Sequence, residues 1–450
     1  MPSVVKDLTE LKSLGVKPRF LLLLFLFCAY LLPAQTAHKP APKSLPPSAF
    51  KLISVSVTGT KRYSPGQIIA ASGLQIGQTV SDDDFQKASR QLGETGAFSD
   101  VAYSFKFSAE GTKLDFQVTE STQFVPVHFD NFVWLPDEEL LKQLRQRVPL
   151  FDGELPASGN LPDQLSVALQ AIAIEHNVQG QVDYLRYAEQ DGPIAALVYT
   201  ISGPNISIRD VKFTGAAPSE LPLLQNAAGR MEGQQYLRSA LTVQAEKDLL
   251  PIYLQRGYLK AAFADAQPTI VLERGQDVSV DVTFAVSPGL QYKASEVQFS
   301  GAKAFPSDRL RELVHQQLGQ PANAVQLEDD IASIKKLYGT RGYMDASVRP
   351  TPEMDDAQST VKYVLEVHEG EVFKMGELDI RGIDNRSAAQ VVEAWKLQNG
   401  DTYDSSYYEG FLKHIDQVLP GGPWRITVHE TPDEKDKTVD VMLRFDRQSP

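Results

Sequence analysis

The feature that most constrains the fold of this chain is an internal repeat with a period of about 80 residues. A short alternating segment that ends at or near glycine opens each copy, and in the second copy asparagine stands in place of that glycine. A single core rarely grows beyond about 250 to 300 residues, so a chain of 450 residues with this period is expected to form one small domain per copy. The markers of the five copies are Gly59, Asn131, Gly215, Gly301 and Gly382.

Each copy closes with an alternating apolar segment, such as residues 278–286 in the third copy. A period of two is typical of a strand with one buried face and one wet face. Two helical stretches lie between the opening and closing strands. In the first copy, Ser64 and Pro65 begin one helix, and Ser81 with Asp84 begins the next with a capping-box pattern. The pattern therefore predicts strand, helix, helix, strand, strand in each unit.

A second signature closes the second helix of three copies, where a glycine is followed within two residues by an aromatic residue. Glycine adopts positive φ at a helix exit without strain, and the aromatic ring can then fold back on the small core. We predict structural turns at these positions, which are Gly96 with Phe98, Gly257 with Tyr258, and Gly342 with Tyr343.

This order of elements, the glycine-aromatic turn and the period together resemble the POTRA domain, and five copies in tandem resemble the periplasmic arm of BamA-type outer-membrane assembly factors. The resemblance implies an α+β fold of five β-α-α-β-β units in an elongated array. In each unit, a three-stranded mixed sheet carries two helices on one face. The expected boundaries are 50–121, 122–204, 205–289, 290–370 and 371–446.

The amino terminus has the pattern of an export signal. Lys17 and Arg19 precede an apolar run over residues 20–32, which is shorter than a membrane-spanning helix requires. We expect residues 1–37 to be a signal peptide, residues 38–49 a proline-rich linker, and the protein to be periplasmic and associated with the outer membrane. The alternative is an inner-membrane anchor formed by residues 20–32. The single cysteine, Cys28, lies inside this run, so a disulfide is not expected.

Composition and motifs argue against several classes of function. The net charge of −13 opposes nucleic-acid binding, which depends on lysine and arginine. The seven histidines are scattered, and no zinc-protease, phosphate-loop or nucleophile-elbow motif occurs. Acidic clusters such as residues 82–84 lie where a helix start favours negative charge, which outweighs a calcium site. We therefore expect no catalysis, no metal or cofactor, and no small-molecule substrate.

The resemblance implies a binding function, in which the array holds unfolded outer-membrane proteins or scaffolds an outer-membrane barrel or assembly complex. An extended client would add a strand to the exposed second strand of a unit. Candidate edges are residues 101–107, 259–267 and 345–349, of which the alanine-rich third-copy edge is preferred because it has few bulky obstructions. Its partner-binding residues would be Leu259, Ala261, Ala262, Phe263, Ala264 and Asp265.

One departure from the family pattern limits this expectation. Five residues, 446–450, follow the last predicted strand, too few for the transmembrane barrel that follows the arm in that family. We therefore do not expect this chain itself to insert into a membrane. The alternative function is a scaffold of the FtsQ or secretion type, anchored in the inner membrane.

Overall fold

The computed structural model describes residues 46–188, 192–419 and 424–447. The predicted signal peptide and residues 38–45 of the predicted linker lie outside the described residues, so those predictions stay open. Within the described ranges, no helix is both long and apolar enough to cross a membrane.

The described residues form five small sheets that share one topology. In each unit, the third strand lies in the centre, parallel to the first strand and antiparallel to the second. In unit 1, for example, Phe116 of the central strand pairs with Val57 on one side and Tyr103 on the other. Helices lie between the first and second strands in the sequence of every unit. The α+β architecture of repeated β-α-α-β-β units is therefore as predicted.

Unit 1 follows the predicted helix signals closely. Ser64 and Ser81 each form a capping box, because the serine side chain accepts the N–H of the residue three positions on, and that residue's side chain accepts the serine N–H. Gly73 ends the first helix with φ of 73°. The elements are a 3-10 turn Pro47–Phe50, β1 Leu52–Thr58, α1 Pro65–Ser72, α2 Asp82–Glu94, β2 Phe98–Ser108 and β3 Gly111–Glu120.

Unit 2 departs from the repeat in two ways. A short additional strand pairs with the first strand, so this sheet has four strands and not the predicted three. Asn131 replaces the marker glycine and bonds both backbone groups of Ile201, with distances of 2.9 and 2.8 Å. The elements are β4 Phe124–Phe129, α3 Asp137–Arg147, β5 Glu154–Pro156, α4 Leu161–Glu175, β6 Gln181–Ala188 and β7 Ile194–Ser202.

Unit 3 also has a fourth short strand, and its second helix contains a π-helical turn. Pro251 lacks an N–H, so the regular helical hydrogen bond is missing at that point, and this accounts for the irregular turn just before it. The elements are β8 Asn205–Thr214, α5 Leu221–Ala228, α6 Arg238–Gln244, the π turn Ala245–Leu249, α7 Leu250–Leu254, β9 Ala262–Phe263, β10 Gln267–Arg274 and β11 Asp277–Ser287.

Units 4 and 5 each have a three-stranded sheet. Trp395 of unit 5 is buried and packs edge-on against Phe411 at 5.0 Å, so this ring belongs to the core. The elements are β12 Lys293–Ser300, α8 Ser307–Arg311, α9 Ala324–Gly339, β13 Ser347–Asp355, β14 Thr360–His368, β15 Lys374–Arg381, α10 Asn385–Ala394, α11 Tyr407–Leu412, α12 Ile415–Val418, β16 Trp424–Asp433 and β17 Thr438–Arg447.

Buried side chains show how strongly neighbouring units are joined. Units 1 and 2 share one continuous hydrophobic core, units 4 and 5 each have a core of their own, and the core of unit 3 also includes Val133 of unit 2. Between units 1 and 2, Arg62 lies over the ring of Phe124 at 3.8 Å and donates to Asp152 and Glu154 at 2.7 and 2.9 Å. The first two units are therefore held together by both apolar packing and paired charges.

A polar contact joins unit 2 to unit 3. The Asp130 carboxylate accepts the backbone N–H of Ser239 at 2.6 Å and the hydroxyl of the same serine at 2.9 Å. Arg238 beside it forms two hydrogen bonds to Asp137, at 2.7 and 2.9 Å. A carboxylate of one unit thus satisfies the free N–H groups at the start of a helix in the next unit.

A buried carboxylate in unit 3 predicts a pH dependence of stability. Asp281 on β11 accepts hydrogen bonds from Arg209 and Lys212. These bonds, of which the one from Arg209 has the larger effect, lower the pKa of Asp281 to about 2. The folded pKa lies below the ordinary value, so this group stabilises the protein above about pH 4, and the contribution is lost as the pH falls towards 2. We expect Asp281→Asn to be less stable than wild type at pH 6, with the difference shrinking by pH 2. Urea unfolding at both values measures it, and a constant difference would contradict the assignment.

Candidate functional site

Among the described residues, the second strand of each unit lies at an open edge of its sheet, and one side of its backbone has no strand partner. Such an edge can pair with an extended segment of another chain. The five edge strands are β2, β6, β10, β13 and β16. They differ in length and in proline content, and these differences decide which edge can accept a further strand.

The structure corrects the extent of the predicted third-copy edge. Of residues 259–267, Ala262 and Phe263 form a two-residue strand that pairs with Ser287 and Val286, and Gln267 is the first residue of β10. Alanine has low strand propensity, whereas the following segment is rich in β-branched residues and forms the longer strand β10. The edge is therefore broken and offers only a short stretch of extended backbone.

The other predicted residues of this edge lie around the short strand β9. Leu259 and Ala261 belong to the turn after Tyr258, whose carbonyl accepts the Ala261 N–H at 3.1 Å. Ala264 donates its N–H inward to the carbonyl of Ala285, and Asp265 follows outside any strand. Together with the helix above, this segment lines a groove of about 190 Å³, whose other walls include Ala245, Leu250 and Phe284.

Prolines interrupt three of the five edges. Pro350 and Pro352 lie within β13, Pro268 lies within β10, and Pro432 lies within β16. Proline has no N–H, and within a sheet it is found where its nitrogen faces away from the ladder. Each proline therefore removes one outward donor from its edge, whereas β2 and β6 contain no proline.

The edge of unit 1 is the longest proline-free one, with 11 residues in β2. A two-residue loop joins β2 to β3, and Ser108 and Gly111 flank it as a pair. Flanking residues of such a loop exchange both hydrogen bonds, so even-numbered residues of β2 donate to β3. The N–H groups of Val101, Tyr103 and Phe105 therefore point to the open side.

Half-buried aromatic rings line the space between β2 and helix α2. Phe105 packs against Phe85 at 4.9 Å and Phe107 at 5.1 Å. Partial burial, followed by the nearby Asp82 carboxylate, raises the pKa of Tyr103, so its hydroxyl stays neutral and donates to Asp82 at 3.3 Å. A strand added at this edge would meet unpaired backbone donors beside an apolar surface.

The glycines of the predicted glycine-aromatic turns have the predicted positive φ. Gly96, Gly257 and Gly342 have φ of 78, 85 and 81°. The rings of Tyr258 and Tyr343 pack edge-on against core tyrosines of their own units, in each case at 5.8 Å. In unit 1, Phe98 packs in the same way against Tyr63 at 5.6 Å.

Sequence reasoning missed that two of these turns are also junctions between units. The carbonyl of Gly257 accepts the N–H of Tyr292 at 2.7 Å, and that of Gly342 accepts the N–H of Phe373 at 2.8 Å. Both aromatic residues belong to the following unit and are fully buried. The sequence does contain a signal for these junctions, because an aromatic-lysine pair recurs as Tyr292-Lys293 and Phe373-Lys374.

Among the described residues, no three histidine, cysteine, aspartate or glutamate side chains come close enough together to hold a metal ion. The candidate site that the strand geometry supports is the backbone edge of β2.

Comparisons with known proteins are consistent with this repeat architecture. The family model described as "POTRA: Surface antigen variable number repeat" matches residues 50–121 and 292–370. The outer membrane protein assembly factor BamA of Nitratidesulfovibrio vulgaris is 19% identical over 411 residues, which cover 88% of this chain. This chain spans 51% of the length of that relative.

Similar solved structures include two POTRA fragments. BamA POTRA3-5 of Haemophilus influenzae is 23% identical and matches 55% of this chain and 100% of its own, with a TM-score of 0.41. POTRA1-3 of Omp85 from Anabaena is 18% identical and matches 54% of this chain and 96% of its own, with a TM-score of 0.24.

Proposed function

This chain is a tandem POTRA-domain protein, and on that premise we propose that it is a non-catalytic periplasmic scaffold that binds outer-membrane proteins during their assembly. The observation that carries the proposal is the open, proline-free edge of β2 in unit 1. Support also comes from the similarity to an outer membrane protein assembly factor over most of this chain. The partners would be unfolded outer-membrane proteins or the complex that assembles them.

The mechanism is β-augmentation at the edge of unit 1. Strands of outer-membrane proteins alternate apolar and polar residues, so an unfolded client offers an extended segment with one apolar face. Its backbone would bond to the outward groups of β2 other than the Val101 carbonyl, which already accepts the Ser89 hydroxyl at 2.8 Å. Its apolar face would cover Phe105 and Phe107 beside helix α2. Backbone bonds are independent of side-chain identity, which suits a scaffold for many clients.

The choice of unit follows from the prolines and the broken strand. The third-copy segment, including Ala262 and Phe263, offers a two-residue strand beside a small groove and is a secondary binding position in this proposal. The prolines of β13 protect the edge of unit 4 from pairing. Clients would therefore bind first at the amino-terminal end of the array.

Loss of one outward donor tests this mechanism. We expect Val101→Pro to weaken the binding of an alternating apolar-polar peptide about three- to tenfold, because one edge hydrogen bond contributes about 0.5 to 1.5 kcal/mol. The measurement is a fluorescence-anisotropy titration of the labelled peptide with the full chain, and circular dichroism checks the fold of each variant.

The matched control is Val101→Ala, which shortens the side chain and keeps the backbone N–H. It should bind the peptide nearly as well as wild type. Equal affinity of folded Val101→Pro and wild-type protein would reject augmentation at β2. If Ala262→Pro or Phe263→Pro instead reduced binding, the site would return to the third copy.

A further inference from the structure

One position recurs in the same register at the start of the units. It is occupied by Phe50 in unit 1, Tyr292 in unit 4 and Phe373 in unit 5. In each case the residue's carbonyl accepts an N–H from the segment that precedes the second helix of its own unit. The three donors are Val80 at 2.8 Å, Ala322 at 2.9 Å and Tyr403 at 3.0 Å. The three aromatic residues are therefore structurally equivalent.

Their surroundings differ according to what precedes each unit. Tyr292 and Phe373 are 0% exposed, because the glycine-aromatic turn of the preceding unit covers them. Phe50 is 37% exposed, although it has the same place in its unit. Unit 1 thus has the aromatic residue that forms a junction in units 4 and 5. No turn that covers this residue is among the described residues.

A charge pair accompanies this contact in units 4 and 5. The residue three positions after the turn glycine lies opposite the tip of the β-hairpin in the next unit. Lys260 forms a salt bridge with Asp356 at 2.8 Å, and Asp345 lies 3.7 Å from Lys437. The sign is reversed between the two junctions, and in both cases the charges are complementary. The hairpin tip therefore helps to select which turn fits beneath it.

The corresponding surface of unit 1 carries the same two elements. Its hairpin tip contains Glu110, which forms no ion pair within the part of the chain that the structure describes. Phe50, which is 37% exposed, packs on Phe107 at 5.2 Å. We call Phe50, Phe107 and Glu110 the entry face of unit 1.

We propose that the entry face docks the exit turn of a POTRA-type unit in another protein. By analogy with the internal junctions, that turn has a left-handed glycine, an aromatic residue next to it, and a lysine or arginine three positions after the glycine, opposite Glu110. The glycine-aromatic turns of a second copy are poor occupants, because those at Gly257 and Gly342 are already covered by its own following units. The turn at Gly96 is covered as well, since a Cβ there would overlap the carbonyl of Ser158.

Site-specific crosslinking of the full chain in its native cells tests this proposal. The photoreactive residue p-benzoylphenylalanine replaces Phe50, and mass spectrometry maps the residues it captures. We expect capture next to a glycine-aromatic turn with a basic residue three positions after the glycine, on another protein. Glu110→Lys should lower the yield about tenfold, because it places like charges opposite each other. Glu110→Gln should lower it less.

Two controls distinguish this contact from nonspecific crosslinking and from client binding. The same photoreactive residue at Leu185, which is 71% exposed in unit 2, should not capture that turn. Val101→Pro should leave the Phe50 crosslink unchanged, because Val101 and Phe107 lie towards opposite ends of β2.

Several outcomes would overturn the proposal. They are capture of residues 38–45 of the same chain, capture of a second copy, capture of a protein without such a turn, and no capture at all. The proposal would also be rejected if Glu110→Lys had an unchanged melting curve and gave the same crosslinking yield as wild type.

Discussion

Replacement of Phe373 by alanine is expected to destabilise unit 5 by about 3 to 5 kcal/mol, the usual cost of removing a fully buried aromatic side chain. The ring lies at the junction with unit 4, with the Lys437 ammonium 4.9 Å above it. Urea unfolding followed by tryptophan fluorescence measures the loss, because Trp395 and Trp424 both lie in unit 5.

The matched control for this experiment is Phe50→Ala. Phe50 has the same register in unit 1 but is partly exposed, so its replacement should change the free energy of unfolding by only about 0.5 kcal/mol. If both substitutions lowered the free energy of unfolding equally, Phe50 would be as buried as Phe373. The exposed entry face would then be contradicted.

Replacement of Gly257 or Gly342 by valine should have the second largest effect. Each glycine has a left-handed conformation that costs a β-branched residue about 1 to 3 kcal/mol. A Cβ would also lie 2.5 Å from the carbonyl oxygen of Tyr292 at Gly257, and 2.7 Å from that of Phe373 at Gly342. We therefore expect each variant to lose stability and to loosen the adjoining junction. Thermal melting measures the first effect, and limited proteolysis at the junction measures the second.

Asn177→Gly is the control for backbone conformation. Asn177 has φ of 57°, which glycine adopts without strain, so this variant should melt within a few degrees of wild type. Unchanged melting and proteolysis of both valine variants would show that the turn glycines do not hold the units together.

Local signals in the sequence predicted local structure well. The serine caps at Ser64 and Ser81 depend on residues within a few positions of each other, and both occur as expected. The unit topology was also predictable, because alternation and helix caps recur in each copy. The third-copy edge was wrong in extent, because the spacing of small residues was given more weight than their low strand propensity.

The junctions could not be predicted in the same way. Whether Tyr292 packs in its own core or beneath a neighbouring turn depends on the relative placement of two units, and no periodicity within one unit encodes that placement. The cap that Asp130 provides for a helix of unit 3 is another such contact, because its donor and acceptor are 109 residues apart. These contacts between units become recognisable only when equivalent positions of the copies are compared.

The shared core of units 1 and 2 has a consequence for how such arrays change over evolutionary time. A recombination event between units 4 and 5 would separate two cores, uncover Phe373, and break the contacts of one turn and a few surface charges. The same event between units 1 and 2 would divide a single core and leave apolar side chains of both halves in water. Units 1 and 2 should therefore be gained, lost or exchanged as a pair, and the remaining units one at a time.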